Sequence, residues 1–68
     1  MLTSLQPERD FEKEDQVVLI QDNGTSKVCV VEDHQLEGGR WKYKLRDAIT
    51  QDSHAKGTYV PEHKLRHA

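Results

Sequence analysis

Four basic residues at every second position, Arg40, Lys42, Lys44 and Arg46, are the most specific chemical pattern in the chain. On a β-strand, alternate side chains share one face and stand about 6.5–7 Å apart. That repeat lets several cations meet successive phosphates of an extended nucleic-acid strand, or the carboxylates of an acidic peptide, at once. The plainer reading is a solvated outer face whose lysines guard an edge strand against aggregation. Interleaved with the row are Trp41, Tyr43 and Leu45, and Phe11 and Tyr59 complete the aromatic stock. Four aromatic rings are enough in number for a cage around a cationic ligand. Trp41 and Tyr43, however, share their face with Leu45, and that face is the natural core. Tyr59, next to an inward Val60, is expected to point outward, and Trp41 beside Gly38-Gly39 to be half covered. Arg40, Trp41, Lys42, Lys44, Arg46 and Tyr59 are therefore the candidate binding residues, with Trp41 and Tyr59 as a possible two-ring platform.

Other chemistries find less support. Cys29 lies in the apolar run 28–31 with no base beside it, which suits a buried structural thiol better than a nucleophile. Being the only cysteine, it can form no internal disulfide. The carboxylates lie in polar segments with no apolar pocket to raise a pKa. His63 and His67 have the i, i+4 spacing of a helical metal pair, with His34 and His54 also available, but no cysteine pair or carboxylate at ligand spacing joins them. Asn23-Gly24-Thr25 matches a glycosylation sequon, yet the same residues are explained as a turn. No catalytic residue, metal or cofactor is expected, and no small-molecule substrate.

The elements that carry these residues read as strands. Residues 16–21 (QVVLIQ) form a β-branched run, followed by Asp22-Asn23-Gly24-Thr25, where Asn-Gly signals a two-residue hairpin turn. Residues 26–32 form the return strand, and Val17, Leu19, Val28, Val30, Val60 and Leu65 are expected in the core beside Trp41, Tyr43 and Leu45. Residues 33–40 read as a polar loop. Residues 41–46 alternate without a fault, as an antiparallel strand with one dry and one wet face does. Residues 47–55 form a second polar connection that Ile49 is expected to pin to the core. A fourth short strand over 56–60 ends at Pro61, and 61–65 reads as one helical turn, with Leu65 plugging the end. Residues 1–10 read as a flexible arm, broken at Pro7, that Phe11 anchors; residues 11–66 form one domain.

The whole chain is 68 residues with a formal net charge of −2 and a mean hydropathy of −0.90. Its first 25 residues hold two basic and six acidic side chains, whereas 40–68 hold seven basic and three acidic. Such asymmetry marks either a partner-binding face or an acidic start folded against a basic end. The longest apolar runs are far too short to span a bilayer, and the first residues lack the basic and apolar regions of a secretory signal. With a free cysteine as well, an intracellular location, cytoplasmic or nuclear, is expected. An open sheet of this size leaves a face and two edges uncovered, so curling into a small barrel is favoured.

The spacing Phe11-x-x-x-Asp15-x-Val17-x-Leu19, the strand Lys42-Tyr43-Lys44-Leu45-Arg46-Asp47 and the close Val60-Pro61-Glu62-x-x-Leu65 resemble the Src-homology-3-like small barrels. These include chromo- and Tudor-like modules, KOW domains and integrase C-terminal barrels. The resemblance implies an all-β barrel of four to five antiparallel strands, with one short helical turn near the C-terminus, acting as a binding module. In two places the chain departs from it: Glu14 stands where such barrels usually have glycine, and the tyrosine cluster and paired tryptophan of proline-peptide-binding members are missing. The expected function is a non-catalytic interaction module that binds a protein or peptide partner through the basic outer strand surface. Strand addition at an exposed edge is a second mode, and nucleic-acid binding by the same row is the alternative. No membrane partner is expected. The chain is expected to be monomeric, with edge-strand dimerisation as the other possibility.

Overall fold

A computed structural model describes residues 8–68. Strand β1 (Gln16–Ile20) pairs antiparallel with β2 (Ser26–Glu37), and β2 with β3 (Arg40–Asp47). The β1–β2 connection is not the expected two-residue turn. Gln21 N–H donates to Thr25 O at 2.8 Å, so Asp22, Asn23 and Gly24 form a three-residue loop. Gly24 supplies the left-handed position at φ +86°, as hairpins of this length require. Asn23 Oδ1 closes the loop by accepting from the Thr25 N–H (3.1 Å) and hydroxyl (2.6 Å).

That extra loop residue moves the register by one and turns β2 over. Val17 stands opposite Cys29 and Leu19 opposite Lys27. Cys29 and Val31 are fully buried, whereas Val28, expected in the core, is 43% exposed on the outer face. Val30 also faces outward, between Gln16 and Arg46 in register, yet is 8% exposed.

A second correction concerns residues 33–40, expected as a loop. They continue β2 as far as Glu37, and Gly38-Gly39 alone make the turn. Both glycines have positive φ, +58° and +78°, which the twist-matched two-residue hairpin demands at both central positions. Between Val31 and Asp33 the register shifts by one residue, leaving Glu32 as a β-bulge. Before the bulge odd-numbered residues of β2 face the core; after it His34 and Leu36 do, opposite Tyr43 and Trp41. The bulge thus keeps Glu32 out of the core row and adds local twist.

Strand β3 alternates as its sequence demands: Trp41, Tyr43 and Leu45 are buried, and Lys42, Lys44 and Arg46 are partly exposed between them. Beyond it, Asp47 caps a turn by accepting from the Ile49 and Thr50 N–H groups at 2.7 and 2.9 Å. This turn throws Ile49 outward, 89% exposed, so it pins nothing to the core. The expected strand over 56–60 shrinks to β4 (Val60–Pro61) because Ala55, Lys56 and Gly57 all adopt left-handed φ in the 3₁₀ segment His54–Gly57. The helical turn expected over 61–65 is a 3₁₀ turn at Glu62–Lys64, and Leu65 opens a further strand, β5 (Leu65–His67).

The sheet order is β4-β3-β2-β1-β5. Its two edge strands are consecutive in sequence, joined only by Glu62–Lys64. A flat five-stranded sheet would separate those edges by roughly 19 Å at about 4.8 Å per strand, while three 3₁₀ residues rise about 6 Å. The sheet must therefore curl strongly. No ladder joins β4 to β5, so it remains open. Phe11, Val17, Leu19, Cys29, Val31, Trp41, Tyr43, Leu45, Val60 and Leu65 fill the concave side. The protein is an all-β fold with short 3₁₀ turns as its helical content among the described residues.

Glu14 has φ +73°, the conformation that glycine adopts most readily, in a turn where Asp15 N–H donates to Glu12 O at 3.1 Å. Phe11, 2% exposed, packs edge-on against Tyr43 with 5.4 Å between ring centroids. Of the expected N-terminal arm, residues 1–7 lie outside the described residues. In the remainder, Arg9 stacks over the Trp41 ring at 5.2 Å and donates from Nε to Phe11 O at 2.9 Å.

Candidate interaction face and clefts

The outer face of β3 carries the basic row, and the register with β2 sets what it meets. Arg40 stands opposite Glu37, Lys42 opposite Gln35, Lys44 opposite Asp33 and Arg46 opposite Val30. Lys42 Nζ binds Glu37 Oε1 at 2.7 Å. Arg46 donates to Glu14 Oε2 at 3.0 Å and to Gln51 Oε1 at 2.9 Å. Lys13 lies 3.6 Å from Asp33, whose Oδ2 accepts the Tyr59 hydroxyl at 3.1 Å. Because β3 lies between β4 and β2, Tyr59 reaches that carboxylate across the strand that bears Lys44. Gly57 leaves room for the lysine stem: a Cβ there would stand 3.4 Å from Lys44 Cε. Among the described residues Arg40 and Lys44 form no ion pair, whereas Lys42 and Arg46 do.

The row is thus threaded with carboxylates. The hydrogen bond from Arg46 holds Glu14 below the usual carboxylate range, that from Lys42 does the same for Glu37, and the His34 N–H followed by the Tyr59 hydroxyl lowers Asp33. The acidic first part of the chain lies against the basic last part at one of these points, Glu14–Arg46, and again outside the row at Asp22–Lys64 (2.8 Å). Gly38-Gly39 would have revealed one of these pairs in the sequence: a two-residue turn there places Glu37 across from Arg40 and within reach of Lys42.

Trp41 and Tyr59 do not share one platform. Trp41 is 9% exposed, with His34 edge-on at 5.5 Å and the Arg9 guanidinium above its ring. It walls a cleft of about 620 Å³ together with Gly38, Gly39, Arg40, Pro61 and His63. Tyr59 belongs to a second cleft, of about 500 Å³, at the open seam between the β1–β2 loop and β4, with Leu19, Asp22, His54, Val60 and Lys64. Glu62 lies at the first cleft; its Oε2 accepts the hydroxyl of fully buried Tyr43 and, at 3.2 Å, the Asp10 N–H. Burial, then the Glu62 bond, pushes the Tyr43 phenol above its ordinary range.

Cys29 is buried and burial pushes its thiol up, away from the reactive thiolate. His63 and His67 do not sit on one helical face: a 3₁₀ turn holds the first and β5 the second, where His67 packs on Phe11 at 4.7 Å. Among the described residues no group of three or more histidine, cysteine or carboxylate side chains is placed to hold a metal ion. No helix of the described residues is long and apolar enough to cross a membrane.

These shifts give the stability a definite pH dependence. Glu14, Asp22, Asp33, Glu37 and Asp47 all have depressed pKa values, so their contribution is present above the unfolded carboxylate range and is lost as pH falls through the folded values. His54 is depressed chiefly by burial, so protonation opposes folding once pH drops below about 6.5. Both act in the same direction. Thermal melts are expected to show Tm falling steadily from pH 7.5 to pH 3, with His54→Gln flattening only the limb above pH 5; a Tm that rises on acidification would contradict this.

No known family model, curated protein or solved structure matches the chain.

Proposed function

We propose that the chain is a non-catalytic interaction module, a small barrel of the Src-homology-3-like kind, that binds a protein or peptide partner through the outer face of β3. Arg40, Lys42, Lys44, Arg46 and Tyr59 form the face, and Trp41 walls the cleft at its edge. The observation that carries this reading is the threading of the row with Glu37, Asp33 and Glu14. Cations alternating with carboxylates complement the mixed charges of a protein surface, where charge pairing sets orientation. A polyanion rewards uninterrupted positive charge, and each carboxylate in the row works against it. The strand order supports the barrel: two edges brought together by a three-residue turn give a curled sheet with its concave side filled. A buried, unpaired Cys29 is compatible with a reducing, intracellular compartment.

The test is the double reversal Lys42→Glu plus Lys44→Glu. It is expected to abolish capture of the partner from cell extract while leaving the amide spectrum of the core intact, because both side chains point away from it. Partner capture that survives the reversal would rule out this face.

A further inference from the structure

Strand β2 has 12 residues and its neighbour β1 only five. β1 pairs with Ser26 through Val30, and two backbone bonds, Glu14 N–H to Val31 O and Val31 N–H to Asp15 O, carry that contact one residue further. Beyond the Glu32 bulge, residues 33–37 have β3 on one side and no strand on the other among the described residues. The two-residue Gly38-Gly39 turn makes Glu37–Arg40, and in alternation Gln35–Lys42 and Asp33–Lys44, the pairs that exchange ladder bonds. His34 and Leu36 therefore turn their backbone groups away from β3. Asp33 Oδ1 accepts the His34 N–H at 2.8 Å, while the His34 carbonyl and both backbone groups of Leu36 have no partner among the described residues. Neither lysine nor proline, common guards of an open edge, stands in 33–37. The terminal strands β4 and β5, with two and three residues, are blunted by their shortness instead.

We propose that this open edge of β2 takes up an extended basic segment of a protein partner as an added antiparallel strand. The proposal goes beyond the β3 face and does not depend on it, because the added strand lies on the other side of β2. Main-chain bonds to Leu36 and His34 supply the hold, and alternate side chains supply the selectivity. Residues of the added strand opposite Leu36 and His34 face the core side, and those opposite Glu37, Gln35 and Asp33 face outward. The segment 8–15 borders the same edge: Glu14 and Asp15 bond to Val31, Lys13 lies 3.6 Å from Asp33, and Arg9 covers Trp41, which stands opposite Leu36. Together 8–15 and 32–37 hold eight carboxylates against two cations, and the balance stays negative when the four cations of β3 are included. Asp33 is committed to Lys13 and the Tyr59 hydroxyl, but Lys42 occupies only Oε1 of Glu37, which leaves Oε2 for a cation opposite it. A second copy of the chain fits poorly. Antiparallel self-pairing centred on Gln35 sets Asp33 of each copy against Glu37 of the other, and like charges directly opposite are destabilising.

The Leu36 amide reports on the edge directly, since its N–H acquires a partner only when a strand is added. The probes are three capped pentapeptides titrated against the full chain by amide chemical shift and hydrogen exchange: Ac-KVQVK-NH2, Ac-EVQVE-NH2, and the basic peptide N-methylated at both valines. The basic peptide is expected to give saturable shifts centred on 33–37, with the Leu36 amide moved downfield and slowed in exchange. N-methylation removes the donors to the His34 and Leu36 carbonyls and should weaken binding about tenfold or more. The acidic peptide should bind about fivefold more weakly or worse, and Glu37→Gln should weaken the basic peptide about two- to fivefold. A Leu36 amide that ignores the basic peptide would overturn the proposal, as would equal binding of the N-methylated peptide or equal or tighter binding of the acidic one. Protection of Leu36 that appears on raising the chain concentration alone would assign the edge to a second copy and overturn it as well. In each of these cases the β3 face is still judged, separately, by the charge reversal.

Discussion

Leu45→Ala is expected to remove about 2–5 kcal/mol of stability, a large part of the roughly 3–10 kcal/mol that a chain of this size can have. Leu45 is fully buried at the centre of β3, opposite Val31, and is among the largest completely enclosed side chains. Truncation there deletes three carbons and leaves a cavity that two neighbouring strands of a curled sheet cannot easily close. With no disulfide to restrain the unfolded chain, most of the loss should appear in urea or thermal denaturation. The charge reversal Lys42→Glu plus Lys44→Glu, on the same strand but the opposite face, should cost far less. A Leu45→Ala protein as stable as that reversal would mean the concave side is not the core.

Val31→Asp is the second large effect. The three-residue loop Asp22-Asn23-Gly24 puts Cys29 and Val31, rather than Val28 and Val30, on the core side. With a two-residue Asn23-Gly24 turn, Asp22 would stand opposite Thr25, Val28 and Val30 would turn inward, and an unbulged β2 would bring Glu32 into the core row opposite Leu45. Glu32 already has one buried carboxylate oxygen, Oε1, with no hydrogen-bond partner. Full burial of an unpaired carboxylate costs several kcal/mol or forces it to take up a proton. Val31→Asp places a carboxylate at a fully buried position and should destabilise by about 3 kcal/mol or more in urea denaturation. Val28→Asp, on the outer face at 43% exposure, should change stability by less than about 1 kcal/mol. Equal costs at the two positions, or the larger one at Val28, would show that the three-residue loop does not set the register.

This coupling explains what was legible in the sequence. β3 announces itself, since Trp41, Tyr43 and Leu45 alternate with basic neighbours, and β1 is recognisable as a β-branched apolar run, 17–20, between Gln16 and Gln21. β2 does not show its phase: 28–31 are apolar without interruption, so one phase buries Val28 and Val30 and the other Cys29 and Val31, and only the loop length and the bulge choose between them. Asp22-Asn23-Gly24 is compatible with either two or three loop residues. Residues 33–37 look like a loop because Asp33, Gln35 and Glu37 are polar, yet they lie on the outer face while His34 and Leu36 turn inward. β4 and β5 are too short for any period to register. The left-handed run at Ala55, Lys56 and Gly57 has a hint only in its glycine.

For the candidate site, the row on β3 was legible because strand alternation is a local property. Its neutralisation by Glu37, Asp33 and Glu14 was not, since Glu14 is brought to Arg46 from 32 residues away. Trp41 and Tyr59 are likewise sorted to different clefts by the curl of the sheet, which no local pattern records. Glu14 holds positive φ with no glycine to signal it in the sequence, and its side chain makes an ion pair that a glycine could not.

The most direct test of the β3 face is an amide-resolved NMR titration of the full chain with a short single-stranded oligonucleotide, at low and at physiological salt. A protein-docking face threaded with carboxylates predicts that any oligonucleotide shifts will be weak at low salt and will vanish at physiological salt. Shifts along 40–46 and Tyr59 that saturate and persist at physiological salt would contradict it and make the row a nucleic-acid interface.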